Sequence, residues 1–125
     1  MGYADPNFGK VFDLNIIKGN KDALKEKGNI LISERIAEIF FGKEDPIGKV
    51  ISIINDKDEE TTFLIAGIFK NFPLNNSFRH ELLTKLENLE DMWKMEPDKW
   101  ESWVAATFLL VRNQDYLPQI NEQLK

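Results

Sequence analysis

Two runs rich in β-branched and aromatic residues, Lys49–Ile54 and Thr61–Phe69, dominate the middle of the chain. Between them lies Asn55-Asp56-Lys57-Asp58-Glu59-Glu60, a polar and mostly acidic connection. Strand-forming runs joined by a short polar loop predict a β-hairpin with a charged, solvated tip. Gly67 falls inside the second run, where a missing side chain marks a bulge or a close backbone approach. This hairpin is the element around which the rest of the fold must be arranged.

The segment entering the hairpin, Phe40–Ile53, reads FFGKEDPIGKVISI and superficially resembles a phosphate-binding loop. A P-loop places four residues between its glycines and a Ser or Thr after the Lys. Here five residues separate Gly42 from Gly48, and Val50 follows Lys49. Glu44 and Asp45 would also repel an anion held by backbone N–H groups. The order of elements is reversed too, since the segment leaves a helix and enters a strand. A helix stop at Gly42, then a turn through Asp45-Pro46 into a strand at Lys49, accounts for the same residues.

Elsewhere the patterning is short and alternating. Asp5-Pro6 predicts the start of a brief helical turn, with Phe8, Val11 and Phe12 on one face. Leu14–Ile17 reads as an extended run closed by Gly19-Asn20, and Asp22–Lys25 as one helical turn. Asn29–Ile32 is expected as a buried strand, with Ser33 capping a strongly apolar helix that Gly42 ends. In 81–93, Leu82, Leu83, Leu86, Leu89 and Trp93 fit a helix, although the first half also fits a strand. Val104–Val111 predicts a further strand. Asp115 is expected to cap a last helix with Leu117, Ile120 and Leu124 on one face. That stripe is still running at Lys125, so a piece excised from a longer protein is expected.

Composition removes several function classes. The net charge of −5 argues against nucleic acid as a partner. Cysteine is absent and there is one histidine, which excludes thiol chemistry, disulfides and the usual zinc and iron ligand sets. The spacing of Asp56, Asp58, Glu59 and Glu60 meets no EF-hand rule. His80 has no nucleophile marked by context, and Ser33, Ser77 and Ser102 lack an elbow motif. No catalytic, cofactor-binding or metal residue is assigned, and no cofactor is expected. The one segment with the composition of a contact surface is 81–101, where acids outnumber lysines around Met92 and Met95. Trp93, Trp100 and Trp103, all the tryptophans of the chain, lie in or beside it, either as a partner surface or as a satellite core.

Taken in order, YADPNFGKVFDLNIIKGN, ILISERIAEIFFGKEDPIGKVISI and FLIAGIFKNFPLNNSF resemble the periplasmic core domain of MacB-like ABC transporter permeases, related to FtsX. The resemblance rests on Phe8, Phe12 and Gly19, on Ser33-Glu34, and on Phe41-Gly42. It continues through Asp45-Pro46-Ile47-Gly48-Lys49 and Ala66-Gly67-Ile68-Phe69, and is good over residues 3–78. It implies that Phe41, Gly42, Asp45, Pro46, Gly48 and Lys49 are a structural joint between helix and hairpin, and that nucleotide is bound by a separate cytoplasmic ATPase. Gly9 replaces an aromatic frequent in the family. The strand-helix-strand unit that opens the family's periplasmic region has no counterpart before Tyr3.

The expected fold is α+β: a small mixed or antiparallel sheet, a central hairpin, and short helices packed on one side. Residues 1–125 are expected to form a single extracytoplasmic domain of a larger membrane permease, on the periplasmic side of the cytoplasmic membrane. Its implied role is non-enzymatic coupling of ATP-driven transmembrane motion to substrate handling or partner contact. Partners would be the rest of the permease, a periplasmic protein, or a second copy pairing through a sheet edge exposed by 104–125. The other reading is a free-standing protein- or ligand-binding module using the Trp-rich acidic segment. From the loop chemistry, calorimetry with ATP or GTP and magnesium should give no saturable heat at micromolar nucleotide; saturation would overturn the structural reading of 42–49.

Overall fold

In the computed structural model, residues 1–76, 78–94, 108 and 110–124 are described. Six strands form one mixed sheet: β1 (Gly2–Ala4), β2 (Ile16–Gly19), β3 (Asn29–Ser33), β4 (Val50–Ile54), β5 (Glu60–Phe69) and β6 (Leu82–Lys85). Helices α1 (Phe8–Val11), α2 (Glu34–Phe41), α3 (Glu87–Trp93) and α4 (Leu117–Gln123) punctuate them. The sheet order is β1-β6-β3-β5-β2, with β4 also on β5.

β5 organises the sheet because it is long enough to hold three neighbours. One edge pairs in parallel with β3, while the other is shared end to end by β4 and β2, both antiparallel. The β3–β5 register skips from Ile30↔Ile65 to Leu31↔Gly67, leaving Ala66 as a bulge. The bulge shifts the alternation of side chains. Phe63, Ile65 and Ile68 therefore share one face with Ile30, Ile32 and Met92, and Phe69 turns to the other with Leu31 and Leu83.

Helical elements cover both faces of the sheet, not one side as the sequence pattern suggests. Ile36, Ala37 and Phe41 of α2 pack on the Phe63 face. On the Phe69 face lie Phe8 of α1 and the tight turn Ala23–Lys25, whose Ala23 and Leu24 are buried. Phe8, Phe12, Phe78 and Phe108 form an aromatic cluster beside that second core, with Phe12 4.5 Å from Phe78 and 5.0 Å from Phe108.

Ser33 accepts a hydrogen bond from the Ile36 N–H and starts α2, and Gly42 at φ +58° ends it. Other boundaries differ from expectation. The Asp5 carboxylate accepts from the Asn7 N–H, so Asp5-Pro6 forms its own turn and α1 begins only at Phe8. Leu14 packs into the core instead of opening β2. Leu82–Lys85 is a strand, which resolves the ambiguity of 81–93 in favour of a strand followed by a helix. Asn113, not Asp115, accepts from the Asp115 N–H and begins the turn into α4. The expected strand Val104–Val111 lies mostly outside the described residues; Phe108, Leu110 and Val111 carry no strand pairing. Gly2–Ala4, too short to read in the sequence, is an edge strand parallel to β6.

The close approach of β2 to the bulge requires glycine at position 19. Its φ is +93°, and a Cβ there would lie 2.3 Å from the Ala66 carbonyl oxygen and 2.6 Å from the Gly67 Cα. Gly19→Ala should therefore cost about 2–4 kcal/mol in urea unfolding, from backbone strain and displaced β5 backbone together. Gly28→Ala, with open space around it, should change stability by less than about 0.5 kcal/mol. Equal effects at the two sites would refute this account of the β2–β5 contact.

Candidate functional site

The joint 41–49 is tied together by its own backbone. The Asp45 carboxylate accepts from the Ile47 N–H, Glu44 N–H donates to Phe41, and Lys49 N–H donates to Pro46. Gly48 sits at φ +81° and donates its N–H to the Ile65 carbonyl of β5. These N–H groups are thus committed internally, and Pro46 is buried. Two of the cations at the loop, Lys18 and Lys49, are paired as well. Lys18 reaches Asp45 at 2.6 Å, while Lys49 pairs with Glu44 and lies 5.2 Å from the Phe41 ring centre. The arrangement fixes where the hairpin leaves α2.

The second constellation surrounds α3. Asn55, at the start of the hairpin tip, is buried; its side-chain oxygen accepts from the Lys57 and Glu59 N–H groups, and its amide donates to the Met92 carbonyl. Glu59 and Lys94 meet at 2.9 Å across the same contact. Hydrogen bonds from Lys94 and then Asn55 hold the Glu59 carboxyl below its ordinary pKa. The tip is therefore clipped to the end of α3, although Asp56 through Glu60 remain exposed. At the other end of α3, buried Asn88 donates to Thr84 Oγ1 at 2.7 Å and to the Lys27 carbonyl at 2.8 Å. Sequence reading missed Asn55 and Asn88. Asn55 follows the apolar run of β4, which is ordinary turn chemistry, and Asn88 falls in the first turn of α3 with no local signal of its own.

Trp93 is 40% exposed and donates its indole N–H to the Tyr3 hydroxyl at 3.1 Å, while Tyr3 donates to the sulfur of buried Met92. Trp100 and Trp103 lie outside the described residues, as does Ser77. His80 packs on Gly2 of β1. Burial holds its imidazole pKa below the ordinary value. Among the described residues no group of three or more His, Asp and Glu is placed to hold a metal ion, and no helix is long and apolar enough to cross a membrane. Near the C-terminal end, Leu110, Val111, Tyr116, Ile120 and Leu124 line an open hollow of about 490 Å³.

The fold is similar to a domain of a protein named as a permease from Porphyromonas gingivalis, with 26% identity and a TM-score of 0.61 over 82% of this chain and 44% of that one. It is also similar to the periplasmic region of MacB from Actinobacillus actinomycetemcomitans (16%, TM-score 0.51, 74% and 40%). The extracellular domain of the noncanonic ABC-type transporter YknZ from Gram-positive bacteria is another (20%, 0.52, 74% and 46%). The chain spans less than half the length of each. No protein of curated function matches it. The sheet architecture defines an α+β domain of the class found on the outer side of ABC transporter permeases. Residues 1–125 match the MacB-like periplasmic core domain, and the chain belongs to that family. It is thus a periplasmic domain of a MacB-like permease.

Hydrogen bonds from Lys18 and then from the Ile47 N–H hold the Asp45 carboxyl below the ordinary aspartate value of 3.8. A depressed folded-state pKa contributes stability above the unfolded value, and that stability is lost as pH falls through the folded one. In a carboxyl NMR titration, Lys18→Ala should move the Asp45 midpoint upward toward 3.8. An unmoved midpoint would mean that the clip does not form in solution.

Proposed function

We propose that this domain transmits ATP-driven motion of the permease's membrane helices to substrate handling or to a partner on the periplasmic side, and that it is not itself an enzyme. In this reading residues 1–125 are one folded unit of a larger membrane protein, whose ATP is consumed by a separate cytoplasmic ATPase. The observation that supports transmission is the way β1 is built in. It pairs in parallel with β6, Ala4 is buried, and the Leu86 N–H leading into α3 donates to the Ala4 carbonyl. A displacement entering at β1 thus passes directly to β6 and α3 instead of being lost in a loose terminus. The joint of Phe41, Gly42, Asp45, Pro46, Gly48 and Lys49 keeps the hairpin moving with α2.

Trp93, with Trp100 and Trp103 following it, is the proposed partner surface. Trp93 supplies a half-exposed indole at the end of α3, held by Tyr3 of β1, so the strand that receives motion and the residue that meets a partner are in direct contact. The free-standing binding module has no separate observation in its favour.

The test uses the full-length permease with its ATPase in lipid bilayers. A fluorophore on Leu74→Cys, a position 92% exposed, reports distance to labelled headgroups by energy transfer. Transfer efficiency should differ between the nucleotide-free and ATP-trapped states, and Trp93→Ala should lower transport while leaving that difference intact. Identical transfer in every nucleotide state would rule out coupling. Full transport by Trp93→Ala would remove the tryptophan segment from the reading.

A further inference from the structure

We propose that the outer edge of β4 is a self-pairing edge, through which two copies of this chain join antiparallel about a two-fold axis centred on Ser52. The argument begins with which backbone groups face outward. In an antiparallel ladder, alternate residues direct both N–H and C=O toward the partner strand. Leu64, which lies opposite Val50, donates its N–H to the Gly28 carbonyl on the β3 side. Val50 therefore belongs to a non-bonded pair with β5, and the N–H and C=O groups of Val50, Ser52 and Ile54 point away from the sheet. Among the described residues no strand lies beyond them.

Edge strands are ordinarily protected by a charge, a proline or a bulge. β4 has none of these: it reads Val-Ile-Ser-Ile-Ile and keeps an unbroken register with β5. Val50 is 58% exposed and Ile54 65%. The pattern is also nearly palindromic. Antiparallel pairing of Ser52 with its own copy sets Val50 against Ile54 of the second copy, so all three outward-facing positions match one another. Each pair can exchange both backbone hydrogen bonds, and the β-branched side chains meet across the axis.

Charge disfavours the parallel alternative. The strand runs from basic Lys49 to acidic Asp56. In this register Lys49, paired with Glu44 of its own chain, lies opposite Asn55 of the other copy, so the two lysines stand at opposite ends of the seam, whereas in-register parallel pairing would stack them together. The feature differs from the edge expected near 104–125, and it does not depend on how the permease moves.

Sedimentation of the 125-residue chain should show an average mass that rises with concentration toward twice the monomer value. Ile54→Lys, at an exposed position, should abolish the rise without unfolding the domain, checked by circular dichroism. The chain lacks cysteine, so Ser52→Cys gives a direct geometric readout. Directly opposed residues in a bonded pair have Cα atoms about 5.5 Å apart, within disulfide range. Oxidation should couple Ser52→Cys to itself faster than Leu74→Cys, and a mixture of Val50→Cys and Ile54→Cys should cross-couple faster than either alone. A strictly monomeric chain, association that survives Ile54→Lys, or Ser52→Cys coupling no faster than Leu74→Cys would each overturn the proposal; the first would leave the edge to a different polypeptide.

Discussion

The parallel pairing of β3 with β5 is the contact on which the other elements depend. Two parallel neighbours cannot be joined by a tight turn, so the chain must leave β3, travel, and return on the correct side. Here α2 and β4 make that journey, and β4 ends it by forming a hairpin with β5. The joint at 41–49 therefore has two tasks: it stops the helix and it launches β4 in register. A strand as long as β5 then has free edge left for β2. Ala66 bulges where β2 takes over from β4, and β2 can approach there only because Gly19 has no side chain, while Gly67 leaves room for Leu31 of β3. Filling Gly67 would set a Cβ 2.6 Å from Leu31 Cδ2.

The same bulge explains how one thin sheet carries two cores. With strict alternation Ile65 and Phe69 would face the same way. The inserted residue places Phe69 opposite, beside Leu31, Leu83 and the Ala23–Lys25 turn. Both phenylalanines of β5 are completely enclosed, on different faces. Truncating such a ring to alanine ordinarily costs about 3–5 kcal/mol, so each face is anchored independently by a large side chain on a single strand.

How much of this was legible follows from which signals are local. β3, α2 and the hairpin could be read because their determinants sit within the elements: Ser33 as a cap, Gly42 as a stop, β-branched runs on either side of a polar tip. β1 could not, since three residues carry no period and its existence depends on β6, some eighty residues away along the chain. The division of 81–93 was hidden for a related reason. Leu82, Leu83, Leu86 and Leu89 satisfy both periods, and pairing of β6 with β3 decides between them. Helix α2 reads as strongly apolar, yet Ile39 and Phe40 are exposed, because only the Ile36–Ala37–Phe41 side meets the sheet. At the candidate surface, composition pointed to the tryptophans. It could not show that Trp93 bonds to Tyr3, a contact between residues 90 positions apart.

The two principal helices are held by different physics, and this bears on which can guide a partner. α2 is seated by apolar contacts and its caps. The apolar contacts are non-directional and define its position chiefly through packing, while its hydrogen bonds, from Ser33 and Asn71, are confined to the first turn. α3 is held at both ends by buried amides: Asn88 bonds to Thr84 and Lys27, while Asn55 reaches the Met92 carbonyl. Breaking one of these leaves a buried polar group unpaired, a penalty of about 1–3 kcal/mol that an apolar contact does not impose. Directional bonds at both ends fix rotation as well as position. The indole at the end of α3 is consequently aimed by Asn55, Asn88 and Tyr3 together, whereas Ile39 and Phe40 on α2 are only displayed. The transmission proposed above requires the first kind of surface, since a residue free to rotate would absorb a displacement instead of passing it on.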